Sequence, residues 1–194
     1  IAGGWSVERE VSLSGGEQIH KALESLGHTV TPLDPSYSLH DLPEQASRSD
    51  FAFVILHGSP GEDGLIQAIL EAVGCPYQGA GPAASMLALD KSAAKSLFRK
   101  AGLPTADWVL LPEKPAPGWQ PDLPYPLFIK ENNGGSSLNI EKVSRKEDLD
   151  AVLDRLFALS DSYIVEPAIN GMELTCGVLG RLEEGSDEEI IEVL

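Results

Sequence analysis

The sequence predicts an α/β fold in two parts. A doubly wound parallel-sheet domain occupies residues 1–81, and an α+β domain with a mainly antiparallel sheet occupies 82–194. Three observations carry this. FAFVIL (Phe51 to Leu56) is apolar throughout, as a parallel strand covered on both faces should be. Strand and helix signals alternate up to about residue 80, the order of a doubly wound sheet. Beyond that point, short strand signals are joined by turns, and two of them flank a Gly-rich segment, as in an antiparallel hairpin.

The chain opens at Ile1 and runs almost at once into Gly3-Gly4, which reads as the end of a first strand whose beginning is missing. Ser14-Gly15-Gly16-Glu17 fits a capping box, with Ile19, Ala22, Leu23 and Leu26 at helical spacing and Gly27 as the stop. His28 to Asp34 is a short second strand, and Asp41 to Ser47 a further helix. After FAFVIL comes a polar turn with Pro60, Gly61 and Gly64. A helix follows with Leu65, Ile66, Ile69, Leu70 and Val73 on one stripe, ended by Gly74.

In the second part, Asp90 to Ala101 is a helix that packs Ala94, Leu97 and Phe98, stopped by Gly102-Leu103-Pro104. Trp108 to Leu111 is a strand. Six prolines between residues 112 and 126 make a loop. YPLFIK leads into a Gly-rich turn and NIEKV returns as its partner strand. Ser144-Arg145-Lys146-Glu147 fits a second capping box, opening a helix with Leu149, Val152, Leu153, Leu156 and Phe157 inward. YIVE and ELTCGVLG are strands, and EIIEVL pairs with the latter around an acidic turn.

Composition narrows the function. A net charge of −16 argues against a nucleic-acid surface. A polyanionic ligand would therefore have to meet local Lys and Arg rather than a favourable overall field. No apolar run approaches the ~20 residues of a membrane span, and no basic segment precedes an apolar one as in a signal peptide. The two cysteines, Cys75 and Cys176, have no metal-type spacing and read as free, buried thiols of a reducing cytosol, with a disulfide or a catalytic cysteine as the alternative.

The chemistry-bearing residues fall in three places. His57, Glu62 and Asp63 follow the carboxyl end of FAFVIL, where open α/β sheets bind ligands. Gly134-Gly135-Ser136-Ser137 lies between two strands; its glycines let backbone N–H groups approach phosphate oxygens and its serines add hydroxyl donors, although an ordinary hairpin turn has the same composition. Lys130 ends the preceding strand and Lys91 lies upstream, so two ammonium groups are available to a triphosphate. Ser92-Ala93-Ala94-Lys95 matches S-x-x-K, but no S-D-N or K-T-G follows. There is no P-loop and no G-x-G-x-x-G.

HGSPGEDGLIQAILEAVGCPYQGAGPAASMLALDKSAAK (His57 to Lys95), GGWSVEREVSLSGG (Gly3 to Gly16) and IKENNGGSSLNI (Ile129 to Ile140) together resemble the D-alanine–D-alanine ligase family of the ATP-grasp superfamily. The resemblance runs over essentially the whole chain. It implies a pre-ATP-grasp domain followed by a central ATP-grasp domain, with the family's C-terminal catalytic domain absent from these residues. It also implies an ATP-dependent ligation of two D-alanines through an acyl phosphate, for peptidoglycan, in a bacterial cytosol, with a homodimer as the full-length form. An acceptor such as D-lactate or D-serine, or a fragment that only binds nucleotide or amino acid, is the alternative.

Site residues carry over by position. Lys130 and Lys91 resemble the phosphate lysines, with Gly135, Ser136 and Ser137 in the loop over the phosphates. Glu166, Ala168 and Ile169 are similar to the segment lining adenine, and Glu173 to the glutamate on the ribose. Glu8 resembles the glutamate on the ammonium of the first D-alanine, Ser136 the serine bonded to it, and His57 the histidine near its carboxylate. Arg9, Glu10 and Glu62 are loop residues that could brace this site. Mg2+ is implied, but its ligands belong to the segment that is absent here. Two positions depart from the family pattern: Glu131 stands where proline is usual and Asn139 where glycine is usual. Asn tolerates positive φ; Glu131 puts a negative charge near a polyanion.

Overall fold

The computed structural model describes residues 1–135, 139–179 and 192–193. Its N-terminal part begins with an extended segment and a turn, then α1 (Arg9–Ser25). Helices α2 (Pro35–Ser38), α3 (Leu42–Ser47) and α4 (Leu65–Ala72) follow. Then come α5 (Pro82–Leu89), α6 (Lys91–Lys100), β1 (Val109–Leu111), β2 (Leu127–Glu131), β3 (Glu141–Val143), α7 (Leu149–Leu156), β4 (Tyr163–Pro167), β5 (Val178–Leu179) and β6 (Glu192–Val193). Among the described residues no helix is long and apolar enough to cross a membrane.

The strands expected at His28–Asp34 and Phe51–Leu56 do not form a regular ladder: no strand precedes β1 among the described residues, and the segments there are joined by one isolated parallel bridge and a few hydrogen bonds. Ile1 N–H donates to Phe53 O and Ile55 N–H to Ile1 O, the alternation of a parallel pair. On the other side Ala52 bridges Tyr77 in parallel. There Gln78 continues the pairing with its side chain: Nε2 donates to Val54 O at 2.5 Å and Oε1 accepts from Val54 N–H at 3.0 Å. Ala2 N–H donates to Leu33 O, which places 30–33 outermost. Helices cover both faces. Leu42, Ala46, Ile66 and Leu70 from α3 and α4 bury with Ala52 and Leu56, while α1 lies against Ala2 and Ile55 on the other side.

Helix α1 starts at Arg9, with Glu8 at its N-cap position and no side-chain cap. It does not start after Ser14 as the capping pattern suggested. Gly15 and Gly16 lie inside the helix because the strands approach it closely there: a Cβ on Gly16 would sit 2.5 Å from Ala2 Cβ, and one on Gly15 3.1 Å from Ile55 Cγ2.

The second part is a four-stranded antiparallel sheet in the order β1-β4-β2-β3. Leu127 pairs with Val143 and Pro167, and Ile129 with Val165. Helix α7 packs on one face through Leu149, Val152, Leu153 and Leu156, all buried with Leu127, Ile129, Val143 and Val165. The Tyr163 hydroxyl satisfies itself on Leu156 O at 2.6 Å. Three readings need correction. The Ser144–Glu147 capping box does not form: Arg145 and Asp148 flank a short 3-10 turn without side-chain caps, and Arg145 pairs with Asp148 instead. Helix α5 had no sequence signal, because PAASMLAL is apolar without a period. Helix α6 buries no residue, and Leu97 and Phe98 are each 47% exposed. Of the strand expected from Glu173 onward, only Val178–Leu179 is extended into a ladder, as β5, while 173–177 form no strand; β5 pairs with β6 antiparallel, and the acidic stretch between them lies outside the described residues.

Candidate functional site

The loop after FAFVIL is organised by its own carboxylates. Gly58 N–H donates to Glu62 Oε2 at 2.7 Å, and Gly61 and Glu62 N–H both donate to Gly58 O. Asp63 accepts from the Ser59 hydroxyl at 2.6 Å and from Leu65 N–H at 3.0 Å, fixing the start of α4. Gln67, buried in α4, donates to Gly61 O at 2.6 Å. Gly61 admits no side chain, since its Cβ would lie 2.2 Å from Leu56 Cβ. The result is a tight turn that holds His57 at the carboxyl end of the extended segment.

A second loop, residues 3–8, lies beside it. Ser12, fully buried in α1, accepts from Gly3 N–H at 2.8 Å and donates to Ile55 O at 2.5 Å. Asp34 accepts from Gly4 N–H and Ser36 N–H, each at 3.0 Å, and from Arg9. Burial alone would raise the Asp34 pKa, but bonds from Arg9, Gly4 and Ser36 outweigh it and bring it down to about 2. Arg9 also donates to Gly4 O at 2.7 Å, so it braces the loop that presents Glu8. Glu10, one residue further on, is exposed.

The Gly-rich turn of the second part reaches this place. A Cβ on Gly135 would lie 3.5 Å from Glu8 Oε2 and 3.8 Å from Glu62 Oε2. One on Gly58 would lie 4.0 Å from Glu8 Oε2. Two carboxylates from separate loops thus face a backbone segment that carries no side chain. Ser136 and Ser137 lie outside the described residues.

On the other side of the turn the charge is positive. Lys91, the first residue of α6, donates from Nζ to Gly134 O at 2.5 Å, and its backbone N–H donates to Asn132 O at 3.0 Å. Burial and the nearby Lys130 charge lower the Lys91 pKa, against the pull of Glu131, Asp90 and Glu166. Asn132, 3% exposed, accepts from Ser92 N–H at 3.0 Å and fastens the turn to α6. Lys130 sits on the sheet face opposite α7. Glu166, opposite Phe128 on β4, shares that face and binds two ammonium groups, Lys130 on Oε1 and Lys95 on Oε2. Burial pushes its pKa up, but hydrogen bonds from Lys130 and Lys95 win and hold it below the usual carboxylate range.

Farther along, Ala168 donates its N–H to Pro126 O at 2.8 Å, and Ile169 and Glu173 are exposed. The structure therefore groups Lys91, Lys130 and Glu166 at one side of the turn, with Glu8 and His57 on loops at the other. Sequence reasoning missed Lys95, Asn132 and Ser12. Lys95 was passed over with the S-x-x-K pattern: Ser92 Oγ in fact accepts from Trp108 Nε1 at 2.9 Å, and Lys95 serves Glu166. Among the described residues no three His, Cys, Asp or Glu side chains group as a metal site.

Comparison with known proteins gives a consistent result. A family model described as D-ala D-ala ligase C-terminus matches residues 97–193, and one described as D-ala D-ala ligase N-terminus matches 35–80. The chain is 58% identical to a D-alanine–D-alanine ligase of Nitratidesulfovibrio vulgaris (strain DP4), covering 93% of this chain and 59% of that protein. It is 54% identical to one of Lawsonia intracellularis (strain PHE/MN1-00), covering 92% and 59%. A crystal structure of the Bacillus anthracis D-alanine–D-alanine ligase complexed with ATP matches with a TM-score of 0.76 at 31% identity, over 87% of this chain and 57% of that one. The chain thus spans about three-fifths of the length of the curated relatives it matches.

Proposed function

Because the chain belongs to the D-alanine–D-alanine ligase family, we propose that it supplies the nucleotide site and the first amino-acid site of an ATP-dependent ligase that joins two D-alanines for peptidoglycan. The observation that carries this is the meeting of three elements at Gly134-Gly135: lysines on one side, the Glu8 and Glu62 carboxylates on the other, and a side-chain-free turn between them.

The roles follow from charge. Lys91 and Lys130 neutralise the phosphates, and N–H groups of Gly135, Ser136 and Ser137 close over them. Glu166 accepts from the amino edge of adenine, with the backbone of Ala168 and Ile169 beside it. The Ala168 N–H is committed to Pro126, which leaves its carbonyl for the base. Glu173 takes the ribose hydroxyls. Glu8, with Ser136, holds the ammonium of the first D-alanine, and His57 its carboxylate. A carboxylate oxygen held in this way attacks the γ-phosphorus as the bond to ADP breaks. The second D-alanine, its ammonium having given a proton to solvent, then attacks the acyl carbon through its free amine; the tetrahedral adduct expels phosphate, and the remaining excess N–H proton passes to the departing phosphate. Among the described residues no carboxylates group as a Mg2+ site. We place the division between the two units at 81/82, on the strength of the two separate cores.

The test is calorimetry of the 194-residue chain with ATP, paired with phosphate release. ATP should bind weakly, with a Kd of about 1 mM, and Lys130→Met should abolish the signal. No phosphate should be released with D-alanine and Mg2+. Absence of any ATP binding would sink the nucleotide site. D-alanine-stimulated phosphate release would show that the metal carboxylates lie within this chain.

A further inference from the structure

Glu166 is paired twice, and its two partners differ in setting. The Lys95 side chain is 12% exposed and donates to Oε2 at 2.9 Å. It rises from the middle of α6, with Nζ 5.5 Å from the Trp108 ring centroid, and Trp108 is itself anchored on Ser92. The Lys130 side chain is 26% exposed, ends β2 beside the Gly-rich turn, and lies close enough to Lys91 for the two ammonium groups to repel. Lys130 is therefore the less buried of the two and the one nearest the phosphates, on the nucleotide reading above, which this inference deepens.

A lysine that turns toward a triphosphate gives up some of its hold on a carboxylate. A largely buried carboxylate left alone is costly, and it either recaptures its partner or takes a proton. The geometry points to Lys95 as the standing counter-ion of Glu166, a positioning residue that keeps this carboxylate ionised and aimed at the base while Lys130 exchanges Glu166 for phosphate. The charged groups facing Glu166 are Lys95 and, farther off, Lys91 from α6, and Lys130 from β2. With Lys95 gone, Glu166 would be left without a cation when Lys130 turns to the phosphates, and it would be protonated on binding.

The experiment is calorimetry of ATP binding to the 194-residue chain at pH 7.5 in two buffers of different ionisation enthalpy. The protonation of ATP itself is common to all variants and cancels in differences. Lys95→Met should weaken ATP by about tenfold or more and add uptake of up to about one proton. Lys95→Arg should restore both. A general packing defect would weaken binding without proton uptake, and that result overturns the proposal, as does wild-type affinity in Lys95→Met. A nucleotide-free measurement supports this if Lys95→Met folds poorly. In Lys130→Met, the Glu166 carboxyl carbon, followed by NMR, should stay ionised at pH 6 on Lys95 alone. Titration above that pH would refute the standing role. If wild type binds no ATP, the nucleotide reading and the exchange both fall, while the carboxyl signal still reports whether Lys95 alone holds Glu166.

Discussion

Glu131 accepts a hydrogen bond from the Ser160 hydroxyl at 2.8 Å, and its other oxygen faces Asn139 Nδ2 at 3.4 Å. Asn139 has φ 56, the conformation for which glycine is otherwise used. The two departures from the family pattern are thus neighbours, and together they tie the end of β2 to the far side of the Gly-rich turn and to the loop before β4. The carboxylate also lies under Gly134, where a Cβ would be 2.6 Å from Glu131 Oε2. Its role is to hold the turn. Glu131→Gln, which keeps a hydrogen-bonding group at both places, should change ATP affinity by less than about threefold. Glu131→Ala should loosen the turn, costing about 1–2 kcal/mol and speeding amide exchange at Asn132 to Gly135. A tenfold tightening of ATP in Glu131→Gln would mean that the carboxylate faces the phosphates.

Two glycines set the spacing of the first site and should respond differently to a methyl group. In Gly16→Ala the gain in helix propensity, ~1 kcal/mol, is set against contact with Ala2 Cβ at 2.5 Å. The helix can shift outward slightly, so a net loss of about 1–2 kcal/mol is expected. Gly61→Ala has no such escape, because its Cβ meets the Leu56 backbone carbon at 3.0 Å as well as its side chain. That change should cost more than about 3 kcal/mol or prevent folding, and should displace Glu62 and His57. Urea unfolding of both variants checks the order, and equal losses would contradict it.

These glycines also show what the sequence could and could not reveal. The α7 face, with Leu149, Val152, Leu153 and Leu156 at helical spacing, was legible because it has one period and one partner surface. The β2–β3 hairpin was legible from two strand signals around a turn. The start of α1 was not, because Gly15-Gly16 is a local breaker whose reason for lying in a helix is the distant Ala2. The outer rungs of the parallel sheet were not, because Gln78 builds one with its side chain. At the site, Lys91, Lys130, Glu166 and Glu8 stood out only through the resemblance to a known family. Lys95, Asn132 and Ser12 lie within the stretches that carry the resemblance, but nothing local marks their roles; their partners are 71, 40 and 43 residues away, and only folding brings them together.

The Arg9–Asp34 pair predicts a response to acid. The folded-state pKa of Asp34 is about 2, against an ordinary 3.8. A depressed pKa stabilises the folded chain above the unfolded value, and that contribution is lost as pH falls from about 4 toward 2. Asp34→Asn should therefore be less stable than wild type by a constant amount between pH 5 and 8, about 1–2 kcal/mol given the partial exposure of both side chains. The gap should narrow below pH 4. Denaturant midpoints of the two chains across this range check it; a gap still constant at pH 2.5 would show that the carboxylate is not held ionised.

The two thiols should separate by reactivity. Cys75 is 4% exposed among Leu42, Ala46 and Leu70, and burial raises its pKa. Among the described residues its sulfur has long contacts, to Pro76 O at 3.6 Å and Ser49 O at 3.9 Å. Cys176, expected from the sequence to be buried like Cys75, is instead free and exposed in the segment leading to β5. Thiolate is the reacting species, so Cys75 is protected twice, by access and by charge. Reaction there must wait for opening of the N-terminal core. With N-ethylmaleimide at pH 7.5, Cys176 should be modified at least ~100-fold faster than Cys75, and urea should remove the difference. Loosening the core through Gly61→Ala should raise the Cys75 rate while leaving Cys176 unchanged. Equal rates in the native wild-type chain would contradict the burial of Cys75.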